Sequence, residues 1–370
     1  MKTKKKILII SISAGAGHVI AGKALEETAK KSFKNLDVQH IDIADFMPKA
    51  IKTISVNSYE IMAKKIPELW GLLYYKTDNQ KAPEVLNNIL KLSKYFSVRQ
   101  FLLEVKKINP NYIVCTHFLP AYFINNAPKK LKPKCPLAMV ITDYEIHSFW
   151  ISSNVKHYFV ATEKMKTKLL KEKLKKTKIT ASGIPLRPEF YKNKSVALLK
   201  NKYGIKNKNL TILVLAGGHG LIKTDKIVKT LSQISGGLNI IAIAGKNLKL
   251  KKSLEDLPLM KDKQINIIGW TEKIDELIRI SDLVISKPGG ISVSECIALN
   301  KPILAVSPIP GQEDKNVHFI LENNLGRIVD SPEELLYYIY QYKNKETEFS
   351  KLKVQNSSEI IMKEIEKDLK

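Results

Sequence analysis

The strongest constraint on the fold is a rhythm. Short, nearly uncharged apolar runs recur along the chain, and helix-like stretches separate them. In the first half they fall at residues 7–12 ("ILIISI"), 38–43, 112–115, 137–142 and 158–161. A second set falls at residues 210–218 ("LTILVLAGG"), 238–245, 265–269, 283–286 and 302–307. Runs this short, without polar alternation, read as strands buried on both faces. Strands alternating with helices predict parallel sheets covered on both sides. A chain of 370 residues exceeds what one core fills. The fold class expected is therefore α/β, with two doubly wound, Rossmann-like domains facing a cleft.

The break between the two sets lies in "SGIPLRPEFYKNKS", residues 182–195, where two prolines and a glycine precede a polar run. The expected domains are residues 1–190 and 191–345. A charged helical tail, residues 346–370, could cross back over the first domain. The start, "MKTKKKILIISIS", is basic and then apolar. Its apolar part is short, and no cleavage-like site follows, so it reads as a first strand behind a lysine cluster. No run reaches eighteen apolar residues. Cys115, Cys135 and Cys296 show no paired or metal-type spacing, which suggests a reducing cytoplasm.

The net charge is +25 and is unevenly spread. Residues 1–190 carry 33 Lys and Arg against 15 Asp and Glu. Such an imbalance suggests an anionic surface as partner. Only four of the basic residues are Arg, which argues for lipid rather than nucleic acid. Residues 57–79 place Trp70 and Tyr74 beside Lys64 and Lys65. That mixture suits a membrane interface, though an amphipathic helix packed on the sheet has the same pattern.

Three stretches carry chemistry. After the first run, "SAGAGH" ends in His18 as a helix begins, with neither P-loop nor dinucleotide spacing. "AGGHG" repeats the theme after residue 215, with Gly217 and Gly218. Later, Lys287-Pro288-Gly289-Gly290 precedes a helix beginning near Ser292, with Glu295 placed in its first turn. Glycines there let backbone N–H groups approach a diphosphate at a helix N-terminus. Glu295 could cap the helix or accept from two ribose hydroxyls. The loop "PIPGQEDKN" then offers Gln312, Glu313 and Asn316, a dense set for reading sugar hydroxyls. Trp270 closes a strand where it could pack on a base or fill a core.

These residues carry a resemblance. "KPGGISVSE…PIPGQEDKN", "GAGHVIAGKAL", "TDYEIHSFW" and "SGIPLRPEF" resemble motifs of one family of nucleotide-sugar transferases. It includes bacterial processive diacylglycerol glucosyltransferases and plant monogalactosyldiacylglycerol synthases. "THFLP" is similar to its Thr-His-Pro-Phe turn with the order altered. Two positions depart from the pattern: His219 in the second glycine turn, and Asn300 where glycine is common.

The resemblance implies a GT-B fold and transfer of a hexose, glucose in a bacterium, from a UDP-sugar to the hydroxyl of 1,2-diacylglycerol. The anomeric centre inverts, and no metal or other cofactor is needed. His18, on a loop at the cleft floor, would be the base, a role suited to a histidine titrating near neutrality. Asp143 or His147 would assist it. His117, His147 and Trp150 would face the acceptor or membrane. Gly217, Gly218, Trp270, Lys287, Pro288, Gly289, Gly290, Ser292 and Glu295 would hold the nucleotide, and Gln312, Glu313 and Asn316 the sugar. The expected partners are UDP-hexose, diacylglycerol and an anionic membrane at its cytoplasmic face, with no nucleic acid. A galactosyl donor, N-acetylglucosaminyl transfer to a peptidoglycan precursor, or a non-catalytic membrane binder are the alternatives.

Overall fold

The computed structural model describes residues 4–13, 15–46, 98–152, 154–172, 174, 177–206, 208–216, 222–257, 263–311 and 313–370. Contacts divide the chain into two compact units. Unit 1 comprises residues 1–188, 310–312 and 355–370; unit 2 comprises 189–309 and 313–354.

Unit 1 is built on six strands: β1 (Lys5–Ser11), β2 (Leu36–Asp42), β3 (Tyr112–Cys115), β4 (Leu137–Val140), β5 (His157–Val160) and β6 (Lys178–Ala181). Their order is β2-β1-β3-β4-β5-β6, every pair parallel. Unit 2 holds β7 (Leu210–Leu215), β8 (Leu238–Gly245), β9 (Lys263–Gly269), β10 (Leu283–Ser286), β11 (Ile303–Val306) and β12 (Gly326–Val329). Here the order is β12-β11-β10-β7-β8-β9, again parallel. Strands such as β1, β3, β4 and β10 are buried along nearly their whole length, which explains their unbroken apolar character.

Sequence patterning missed β6 and β12, and both lie at a sheet edge. "KITA" and "GRIV" are only partly buried, so each needs fewer apolar residues and carries a basic one. Gly326 opens β12 because a Cβ there would overlap the Ile303 carbonyl. The tail after residue 331 forms two helices, Pro332–Lys343 and Ser357–Asp368. The second lies in unit 1, where Ile361, Met362 and Ile365 pack with Ile7, Ile9, Val114 and Phe159. No described helix is long and apolar enough to cross a membrane.

In a parallel sheet, ligands bind at the carboxyl ends of strands where the chain order reverses. In unit 1 that point lies between β1 and β3, since β2 and β3 flank β1 on opposite sides. In unit 2 it lies between β7 and β10. His18 follows β1, Thr116 follows β3, and residues 287–289 follow β10.

Candidate functional site

His18 is the third residue of the helix Ala16–Ser32, not part of a loop as its glycine-rich surroundings suggested. The helix starts early because Gly15 supplies the turn at φ 92°, a conformation L-residues with side chains rarely adopt. No side chain caps this N-terminus and no acid sits in its first turn. Asp42, at the end of β2, accepts from the Ser13 N–H at 3.1 Å and the Ala44 N–H at 2.9 Å, bracing the preceding loop.

The His18 ring lies against the ends of β3 and β4. Its Nδ1 is 3.0 Å from the Thr116 carbonyl oxygen and 2.8 Å from Thr142 Oγ1. The Thr116 hydroxyl donates to the His18 carbonyl at 2.9 Å. A carbonyl only accepts, so Nδ1 carries the proton and Nε2 the lone pair.

Other rings close around it. His117 stands edge-on with ring centroids 4.6 Å apart, and Trp150 lies 6.2 Å away. His117 caps the helix Phe118–Asn125, its Nδ1 accepting from the Leu119 N–H at 3.1 Å. His147 caps the short turn Ser148–Trp150 in the same manner, accepting from the Phe149 N–H at 3.2 Å. The accepting Nδ1 makes each of these rings an Nε2–H tautomer when neutral. Trp150, expected at the acceptor or membrane, is buried among His18, His117 and Phe118. Asp143 is half-buried beside Thr142 in the chain. Trp70, Tyr74, Lys64 and Lys65 lie outside the described residues.

The enclosure corrects the expectation of neutral titration. Burial lowers the His18 pKa to about 4, against a smaller upward pull from the Thr116 carbonyl. His117 is driven well below its usual range by burial, and then by the neighbouring His18. Both rings are neutral at pH 7. Between pH 6.5 and 4 the unfolded chain binds a proton at position 18 that the folded chain does not. Stability therefore rises with pH across that window and falls on acidification. His18 alone accounts for roughly 3 kcal/mol across the window. Urea unfolding at pH 7.5 and 4.5 should show most of this loss, and His18→Gln should shrink it.

In unit 2, Pro288 and Gly289 lead into the helix Gly290–Ala298, which begins two residues earlier than the sequence suggested. Glu295 consequently sits in the second turn, buried, and cannot cap the helix. The N-cap, Gly289, makes no side-chain cap, so the first-turn N–H groups at Gly290 and Ser292 point outward from the helix end. Lys287 pairs with Glu313 at 2.7 Å, and the other Glu313 oxygen accepts from the Ile309 N–H at 2.8 Å. Glu313 thus joins the β10 loop to the β11 loop. Asn316 is fully buried in the helix Asp314–Glu322. Trp270 is 60% exposed, with Lys246 Nζ 5.8 Å from its ring centre. Asn300 adopts φ 52°, the left-handed region that asparagine tolerates, which explains how it stands in for glycine. Gly217, Gly218, His219 and Gln312 lie outside the described residues. Among the described residues, no group of three or more His, Cys, Asp and Glu side chains gathers as a metal ion would require.

Residues 18–186 match the family described as monogalactosyldiacylglycerol (MGDG) synthase, and residues 211–368 match the glycosyltransferase family 28 C-terminal domain. A processive diacylglycerol beta-glucosyltransferase of Bacillus subtilis (strain 168) is 29% identical over 380 residues, covering 100% of this chain and 96% of that protein. Over nearly its whole length the chain is similar to processive diacylglycerol beta-glucosyltransferases, and its first half is similar to monogalactosyldiacylglycerol synthases. It is therefore a glycosyltransferase. Of solved structures, the Staphylococcus aureus MnaA–UDP complex superposes with TM-score 0.61 at 14% identity, covering 99% of this chain and 97% of that one. Acinetobacter baumannii MurG superposes with TM-score 0.54 at 14% identity, covering 92% of each. At this distance the likeness shows the fold, which is the expected GT-B type.

The threonines at 116 and 142 escaped the sequence reading. Each directly precedes a residue that it singled out, His117 and Asp143, and that adjacency was the available signal.

Proposed function

We propose that the chain transfers a hexose, glucose first, from a UDP-sugar to the hydroxyl of 1,2-diacylglycerol with inversion, working peripherally at the cytoplasmic face of the membrane. The observation that carries this reading is His18: a neutral imidazole whose Nδ1–H is tied down and whose Nε2 holds a lone pair. The full-length diacylglycerol glucosyltransferase relatives supply the acceptor and the sugar.

In this reading the acceptor O–H proton passes to His18 Nε2 as the oxygen bonds to the anomeric carbon. The bond from that carbon to the diphosphate oxygen breaks, and UDP departs with its electron pair. The departing charge meets the open N-terminus of the helix Gly290–Ala298 and Lys287. The Lys287 ammonium has three donors, so it can bind Glu313 and a phosphate oxygen together. Glu295 serves the ribose, Trp270 the uracil, and Gln312, Glu313 and Asn316 the sugar. No metal is required. The excess of lysine in residues 1–190, with Trp70, Tyr74, Lys64 and Lys65, holds the chain to anionic lipid.

The test is purified protein with diacylglycerol in phosphatidylglycerol liposomes. UDP-glucose, UDP-galactose and UDP-N-acetylglucosamine are supplied separately, and lipid products are read by mass spectrometry. One hexose on diacylglycerol from UDP-glucose is the expected product, and further hexoses would show processivity. Product only from another donor reassigns the sugar. No glycolipid from any donor overturns the reading.

A further inference from the structure

We infer that Thr142 is a positioning residue: its hydroxyl and the Thr116 carbonyl together clamp His18 Nδ1–H, so that Nε2 alone is presented to the reacting hydroxyl. This inference rests on His18 being the base of the proposed reaction. The clamp joins three neighbouring strand ends. His18 follows β1, Thr116 follows β3, and Thr142 lies two residues beyond β4; β3 lies between β1 and β4 in the sheet. All three side chains are buried, with Thr116 at 0% and Thr142 at 3% exposure. The Thr116 hydroxyl adds a reciprocal bond to the His18 carbonyl, holding the helix start as well as the ring.

The tautomer follows from the donor count. Nδ1 faces two oxygens, at 3.0 and 2.8 Å, and the carbonyl can only accept. An unprotonated Nδ1 would set its lone pair against that carbonyl in a buried space, so the proton belongs on Nδ1. The Thr142 oxygen then accepts a second share of the same proton. When Nε2 takes the acceptor's proton the ring becomes cationic, and hydrogen bonds from a charged donor strengthen. The Thr142 contact thus contributes more after proton transfer than before it. Such an interaction appears in kcat rather than in KM.

Two readouts test this. The first is the tautomer of His18 in the unmodified chain, taken from the 15N shifts of its ring nitrogens, with His18→Gln used to assign the signals. The expected form is Nδ1–H; an Nε2–H form overturns the inference. The second is kinetics of T142V, which keeps the shape and removes the hydroxyl, and of T142S, which keeps the hydroxyl. T142V should lose roughly 10-fold or more in kcat, with donor KM within about twofold, and T142S should recover most of the loss. A kcat unchanged in T142V, a loss confined to KM, or a T142S no better than T142V overturns it. Should T142V fail to fold, the wild-type tautomer decides. Should the wild type transfer no sugar, the functional reading fails, while the tautomer still decides the clamp.

Discussion

Replacing His18 by glutamine is expected to lower kcat by roughly 10²- to 10⁴-fold, the range that a positioned general base contributes. Glutamine can still donate an amide hydrogen to the Thr116 carbonyl, so the helix start keeps a partner. It has no basic nitrogen to take the acceptor's proton. Donor KM should change little, because in this reading the base acts on the acceptor hydroxyl in the reacting step and not on the donor's diphosphate. Initial rates at saturating UDP-glucose, compared at equal folded concentration by thermal melt, check this. A kcat within threefold of wild type would remove His18 from the chemistry and turn attention to Asp143 or His147.

The second large effect concerns the final helix. Ending the chain at Gln355 should leave unit 1 unable to fold stably. Ile361, Met362 and Ile365 are fully buried against β1, β3 and β5. Losing three such side chains costs roughly 6–15 kcal/mol, comparable with the whole stability of a domain. Polar contacts at the helix end are lost as well. Asp368 pairs with His157 Nδ1 at 2.7 Å, accepts from the Tyr112 hydroxyl at 2.9 Å and meets Lys178 at 3.1 Å. His157 is fully buried, so the truncation strands an imidazole as well as exposing apolar surface. The readout is soluble yield and urea unfolding of the truncated chain beside full-length Met362→Ala. The single variant should lose about 2–5 kcal/mol and remain folded. A truncated chain that unfolds at the same urea concentration as the full chain would show that unit 1 stands without this helix.

Much of the architecture was readable without coordinates, because strands buried on both faces must be written as uninterrupted apolar runs. The runs at 112–115, 238–245 and 283–286 coincide with β3, β8 and β10 to the residue. Two of the four edge strands escaped for the converse reason. Half exposed, β6 and β12 carry lysine or arginine and offer too little contrast with their surroundings. Glycine placement was also readable, since the turn before His18 and the N-cap before Gly290 call for small residues by local geometry.

What the tertiary structure alone decided are pairings across long stretches of chain. His18 meets Thr116 and Thr142 at separations of 98 and 124 residues, and no local pattern encodes which hydroxyl reaches an imidazole that far away. The same holds for Lys287 with Glu313, joined only because β10 and β11 lie side by side. Burial then changes the chemistry that composition suggests. A histidine read as titrating near neutrality becomes a neutral ring with a pKa of about 4, because packing removes the water that would solvate its charge. Local sequence sets where strands and turns form, through side-chain size and polarity. The protonation and aim of the site arise from enclosure, which exists only once both neighbouring strand ends are in place.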